Sequence, residues 1–260
     1  MYVDHESGTA SRRTASTLLV ISLLLAAACM PQGEQEPRMT LFIGIDVSGS
    51  FHNTGNYNDA LRFTAHYIYG HLNGLGGLEQ PAVLFVGSIG GERPGEAKTF
   101  HPIHDFQGKT VDEIDADLHR WFPSGEALTD FNPFFERVAT FVKRQNLVLK
   151  PLTILIVSDG VPDVTSRTGS EDDRYARIDM EPLEYLSRRV TVRLVYASPT
   201  VAVRWEQDIP RQRVRMWTQD DEVMRGWRNQ ITLGLPVDQQ DDLWNWIDDL
   251  VDARASRRIF

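Results

Sequence analysis

The stretch Leu41-Phe42-Ile43-Gly44-Ile45-Asp46-Val47-Ser48-Gly49-Ser50 joins a short apolar run to one carboxylate and two hydroxyls. An apolar run of this length reads as a strand buried on both faces. Asp46, Ser48 and Ser50 then fall where that strand ends, at the carboxyl edge where open α/β sheets bind ligands. Gly49 lets the backbone turn tightly, so that both hydroxyls can face one point. Oxygen donors of this kind suit Mg²⁺, or else Mn²⁺ or Ca²⁺, and not a metal that prefers thiolates. Alone the pattern is weak, because serine and aspartate after a strand also make turns and cap helices.

Two later segments add weight to it. Gly125-Glu126-Ala127-Leu128-Thr129-Asp130 is a loop ahead of a helical stretch, and Leu152-Thr153-Ile154-Leu155-Ile156-Val157-Ser158-Asp159-Gly160 is a second buried run ending in Asp-Gly. In type, order and context the three segments resemble the von Willebrand factor type A (vWA) domain and its metal-ion-dependent adhesion site. The resemblance spans residues 39–251 and assigns metal roles to Asp46, Ser48, Ser50, Thr129 and Asp159. One departure is the Glu126-Ala127-Leu128 interval, since the family more often has glycine directly before the threonine.

The resemblance implies that Ser48, Ser50 and Thr129 coordinate directly, that Asp46 anchors the metal and orients its waters, and that Asp159 acts mostly through water. A cation with so few direct anionic ligands keeps an open position, which an Asp or Glu of a partner protein would fill. The expected function is metal-dependent protein binding, not catalysis. The alternatives are a regulatory subunit of a multiprotein assembly, as domains of this type are beside AAA-type ATPases, and remotely a metal-dependent phosphoester hydrolase. Asp130 and Asp163 are expected to cap a helix or make a turn. Because Asp46 and Asp159 are expected at the rim of the sheet, replacing either by alanine should cost metal and little stability.

Other chemistries lack their residues. The seven histidines show no His-Glu-x-x-His spacing, and a single cysteine can form neither a disulfide nor a thiolate cluster. Ser48 lacks the glycine pattern of a nucleophile elbow, no phosphate loop is present, and Asp46 is not followed two residues on by a second aspartate. The formal net charge of −9 argues against nucleic acid as a main partner.

Positioning these residues requires alternating strands and helices. Apolar periodicity predicts helices over 56–71, 110–121, 132–147, 181–188, 200–208, 220–229 and 241–254. In the last, Leu243, Trp246, Ile247, Leu250 and Val251 form the buried stripe. Strands are predicted over 41–46, 81–89, 152–157 and 189–196, with an edge strand at 213–217 and a possible hairpin return at 99–101. The long polar segment 160–179 reads as a loop. The expected fold is α/β, Rossmann-like and doubly wound, a mainly parallel sheet flanked by helices.

The amino terminus has a separate reading. Arg12 and Arg13 precede an apolar run over 18–28 that is too short to span a bilayer and ends Ala26-Ala27-Ala28-Cys29. This resembles a bacterial lipobox, although leucine is more usual where Ala26 stands. The organisation expected is a signal peptide (1–28), a lipidated Cys29 with a short tether (29–38), a vWA domain (39–254) and a tail (255–260). That makes the chain an envelope lipoprotein held to a membrane through Cys29. Translation from Met30 or Met39 would instead give a cytoplasmic protein.

Overall fold

The computed structural model describes residues 37–90, 100–123, 125, 128–163 and 174–252. The expected signal peptide, Cys29, nearly all of the tether, the tail and much of the 160–179 loop lie outside the described residues.

The first strand, β1 (Met39–Asp46), is followed by a short helix α1 (Gly49–Asn53), a long helix α2 (Tyr57–Asn73) and β2 (Pro81–Ile89). A two-residue strand β3 (His101–Pro102) precedes α3 (Val111–Trp121) and α4 (Asn132–Arg144), which leads to β4 (Leu152–Val157) and β5 (Val190–Ala197). The chain ends with α5 (Pro199–Asp208), β6 (Val214–Asp220), α6 (Asp221–Met224) and α7 (Asp241–Trp246). The fold is α/β. Its six-stranded sheet has the order β3-β2-β1-β4-β5-β6 and is mixed, because β3 pairs antiparallel with β2 at the edge while the other pairings are parallel.

β1 is central, and all eight of its residues are buried. Leu41, Ile43 and Ile45 enter a core with α2, α3 and α7, while Phe42 enters a second core with Phe134, Phe135 and Val138 of α4 and Trp205 of α5. This alternation on a strand covered on both faces explains why the sequence shows a continuous apolar run. Helix α3 begins with a capping box, in which Thr110 and Glu113 satisfy each other's backbone N–H.

Three helix predictions are corrected. Over 181–188 only the 3₁₀ turn Glu181–Leu183 forms, and the Arg189 N–H turns to Ser187 Oγ (3.2 Å) instead of a carbonyl one turn back. The 220–229 helix breaks at Gly226 into α6 and a 3₁₀ turn, Trp227–Gln230. The last helix changes at Trp246 into a π turn, Ile247–Val251, whose closing bond runs from Asp252 N–H to Ile247 O (2.8 Å). Its buried stripe is Leu243, Trp244, Ile247 and Val251, with Trp246 only partly buried. Trp244 fits because Gly70 leaves its ring room: a Cβ there would lie 2.8 Å from the indole.

The central position of β4 makes a graded prediction. Leu155 is fully buried, so Leu155→Ala should lose about 2–5 kcal/mol in urea unfolding. Leu155→Asp should leave no folded population by circular dichroism, because a buried unpaired charge costs far more than a cavity.

Candidate metal centre

The sheet order reverses between β1 and β4: from β1 the chain moves outward to β2, and from β4 it moves the other way to β5 and β6. Ligand sites in open α/β sheets form at such a reversal, outside the carboxyl ends of the strands. Asp46 ends β1 there, and Ser158-Asp159 follows β4 on the neighbouring strand, with Ile45 opposite Val157.

Asp46 is fully buried. Its Oδ1 accepts the Ser48 N–H (2.9 Å) and its Oδ2 accepts the Ser158 hydroxyl (2.5 Å). Ser158 Oγ in turn accepts the Gly160 N–H (2.9 Å). Ser48 caps α1, its Oγ accepting the Phe51 N–H (3.4 Å), and lies 3.1 Å from Ser50 Oγ. Ser50 hydrogen-bonds the Asp159 side chain, whose Oδ1 also accepts the Val161 N–H (3.0 Å). Asp46, Ser48, Ser50 and Asp159 are thus joined through side-chain and backbone bonds.

Thr129 stands on a separate loop. The Gly125 N–H donates to Val47 O (3.0 Å), tying that loop to the end of β1. The Thr129 N–H donates to Asp163 Oδ2 (3.0 Å), and the Asp163 N–H returns a bond to Thr129 O (2.9 Å). Thr129 is fully buried, and its hydroxyl has no hydrogen-bond partner among the described residues. An unsatisfied buried hydroxyl costs about 1–3 kcal/mol.

Gly160 holds the Asp159 turn in place. Its φ of +72° suits glycine, and a Cβ would lie 2.8–3.0 Å from Leu194, Val201 and Trp205. Trp205 closes the floor, its Nε1–H donating to Gly160 O (2.7 Å).

The electrostatics are those of a site short of positive charge. Burial pushes Asp46 up to about 6; the Ser158 and Ser48 hydrogen bonds oppose that rise, and the Asp159 charge adds to it. Burial also raises Asp159, against the Val161 N–H and Ser50 bonds and with the Asp163 charge. Among the described residues no group of three His, Cys, Asp or Glu is arranged to hold a metal. The Ser48 and Ser50 hydroxyls beside the Asp46 and Asp159 carboxylates are a donor set that would suit a hard divalent cation.

Two expectations change. Asp46 is not at an exposed rim, so Asp46→Ala leaves the Ser48 N–H and the Ser158 hydroxyl without their acceptor and costs stability as well as charge. Asp163 does more than turn the chain, since its carboxylate and its N–H fix Thr129. Ser158 was not singled out from the sequence, where its place before Asp159-Gly160 was the available signal. Asp163 is bonded to a residue 34 positions away, which no local pattern encodes.

The raised Asp46 carboxyl makes stability depend on pH. The folded chain holds this proton more tightly than the unfolded chain, so its stabilising effect is complete below about pH 4 and lost as pH rises through about 6. In EDTA, the stability of wild type relative to Asp46→Asn should fall by roughly 2 kcal/mol between pH 4 and 7, a little under two pK units' worth. Mg²⁺ should reduce the fall. A difference independent of pH would contradict this account of the site.

No protein-family model matches the chain, and no curated protein matches it. Among solved structures it is similar to proximal thread matrix protein 1 from the mussel byssus, at 11% identity and a TM-score of 0.42, covering 82% of this chain and 48% of that one. It is similar to the pilus adhesin SpaC from Lactobacillus rhamnosus GG, in its open conformation, at 11% identity and a TM-score of 0.44, covering 81% of this chain and 30% of that one. It is also similar to the human COPII-coat protein Sec24c, at 12% identity and a TM-score of 0.38, covering 71% and 30%. The chain spans about half or less of the length of each.

Proposed function

We propose that this chain is a vWA-type domain in which Asp46, Ser48, Ser50, Thr129 and Asp159 hold one divalent cation, Mg²⁺ or else Mn²⁺ or Ca²⁺, and that it binds a partner protein through an Asp or Glu of that partner. The observation that carries this reading is the hydrogen-bonded set of Asp46, Ser48, Ser50 and Asp159 at the sheet's reversal point, and the buried Thr129 hydroxyl, without a partner among the described residues, supports it. When bound, the cation supplies positive charge and an exchangeable coordination position that a carboxylate can fill.

The protein's own groups divide the work. Asp46 fixes the base of the site from β1, held by Ser48 and Ser158. Ser48 and Ser50 present hydroxyls from the start of α1, and Asp163 fixes the backbone of Thr129. Leu128, 61% exposed next to Thr129, offers an apolar contact at the mouth of the site. The reading assigns recognition and no turnover. For location, the Arg12-Arg13 start, the apolar run and Ala26-Ala27-Ala28-Cys29 support an envelope lipoprotein anchored through Cys29.

The test is affinity capture from envelope and cytosolic extracts, using wild type in Mg²⁺, wild type in EDTA and Asp159→Ala in Mg²⁺. A partner retained only by wild type in Mg²⁺ is expected. Asp159→Ala should weaken Mg²⁺ binding roughly tenfold to a hundredfold, the range for losing a group that orients metal ligands. The same partner at equal recovery under all three conditions would overturn the reading.

A further inference from the structure

The chain is acidic as a whole, yet seven of its exposed cations stand at the sheet edge opposite the candidate metal centre. β1, β2, β4, β5 and β6 run parallel, so their amino ends share that edge. Arg38 precedes β1, Lys150 precedes β4, Arg188 and Arg189 precede β5, and Arg213 precedes β6; all five are exposed. Backbone bonds hold these lead-ins side by side: Thr40 N–H to Pro151 O (2.8 Å), Leu152 N–H to Arg189 O (2.9 Å) and Arg213 N–H to the Glu184 carboxylate (2.5 Å). Helix α4 ends at the same edge with Lys143 and Arg144, also exposed. None of these seven forms an ion pair among the described residues. Elsewhere Arg62, Lys109, Arg120, Arg225 and Arg228 each meet an aspartate.

Apolar groups stand among the charges. Leu149 is 74% exposed and Tyr185 70%, and their segments are joined by the Leu149 N–H bond to Leu186 O (2.8 Å). The Arg213 guanidinium lies over the Tyr185 ring, 5.2 Å from its centroid. Nearby acids offset only part of the charge. Glu184 is buried and occupied by the N–H groups of Gln212 and Arg213, leaving Asp179 and Glu181 beside the Tyr185 groove. Glu79 lies further along, before β2, and Asp248 stands by the same lead-in, its Oδ2 4.0 Å from where a Gly77 Cβ would lie.

We propose that this amino edge docks on an anionic phospholipid surface, with its lysines and arginines on headgroup phosphates, Leu149 and Tyr185 in the interfacial layer, and the metal centre facing away. The cations spread over four strand lead-ins and a helix end instead of converging on one anion, and they alternate with an exposed aliphatic and an exposed aromatic side chain. That pattern fits a laterally extended charged interface better than a single acidic peptide. Pro37, the first described residue, also enters at this edge, and Cys29 lies eight residues before it, about 28 Å at full extension. The proposal is independent of the metal reading.

The test uses the full chain carrying Cys29→Ser, so that no acyl chain contributes, with vesicles of phosphatidylcholine alone or with 30 mol% phosphatidylglycerol, a composition on the order of that of anionic membranes. Three forms are compared: this parent, an edge variant (Lys150→Glu, Arg188→Glu, Arg189→Glu), and a charge-matched control (Arg120→Glu, Arg225→Glu, Arg228→Glu). Thermal unfolding confirms that each is folded, and a milder edge variant, Arg188→Gln with Arg189→Gln, is carried alongside. At low salt the parent should prefer phosphatidylglycerol, and the edge variant should lose roughly a hundredfold of that preference, about fivefold per residue. The milder variant should lose part of it and the control little, with EDTA and Asp159→Ala changing nothing. An equal preference in edge variant and control, or none in the parent, would overturn the proposal. Binding of polyglutamate without binding of the anionic vesicles would overturn it in favour of an acidic protein partner.

Discussion

A buried carboxylate sets the terms for the rest of the molecule. Asp46 sits at the end of a strand packed on both faces, where water cannot solvate its charge, and it carries no cationic side-chain partner among the described residues. A charge in such a place must be neutralised or held by oriented donors. The Ser48 N–H and the Ser158 hydroxyl supply part of this, and the raised titration of the group shows that they supply only part. The remaining demand for positive charge lies at one point, next to hydroxyls that a cation can use.

Much of the surrounding packing keeps that point fixed. The Phe42, Phe134 and Trp205 side holds the floor beneath Asp159 and Gly160, and the α2–α7 side holds the other face of β1. Arg193, buried in the middle of β5, sends its guanidinium to the Val251 and Asp252 carbonyls and sits 3.2 Å from the Asp252 carboxylate, which also accepts the Tyr67 hydroxyl. A planar, permanently charged donor suits this place, since it can satisfy several acceptors at once. The arrangement closes the π turn after α7 onto the sheet. Charge thus has two roles at depth, one paired with Asp252 at Arg193 and one left without a cationic partner among the described residues at Asp46.

The sequence was informative where one physical signal dominated. Unbroken apolar runs marked β1 and β4 because both faces of a central strand are buried, and Asp46 and Asp159 were legible because they follow those runs directly. Thr129 was harder to place: the Glu126-Ala127-Leu128 interval gives it no local signature, and its position depends on Asp163, far along the chain. Some of the failures share this cause. The 181–188 and 220–229 segments have helical spacing, but Ser187 takes one backbone group, Gly226 interrupts the other segment, and Trp227 is drawn to Asp59 (2.9 Å). Trp244 displaced Trp246 from the buried stripe because Gly70 on another helix makes room for it. The Trp227–Asp59 and Trp244–Gly70 contacts join distant segments, which a single sequence does not display, whereas Ser187 and Gly226 act within their own segments.

The most direct measurement is a calorimetric titration of Mg²⁺ into wild type, Thr129→Ser and Thr129→Val near neutral pH. The account predicts one ion per chain for wild type, near-normal binding for Thr129→Ser because the hydroxyl remains, and loss of binding for Thr129→Val in a chain that still folds. No saturable binding by folded wild type, tested in turn with Mn²⁺ and Ca²⁺, or equal binding by Thr129→Val, would contradict it.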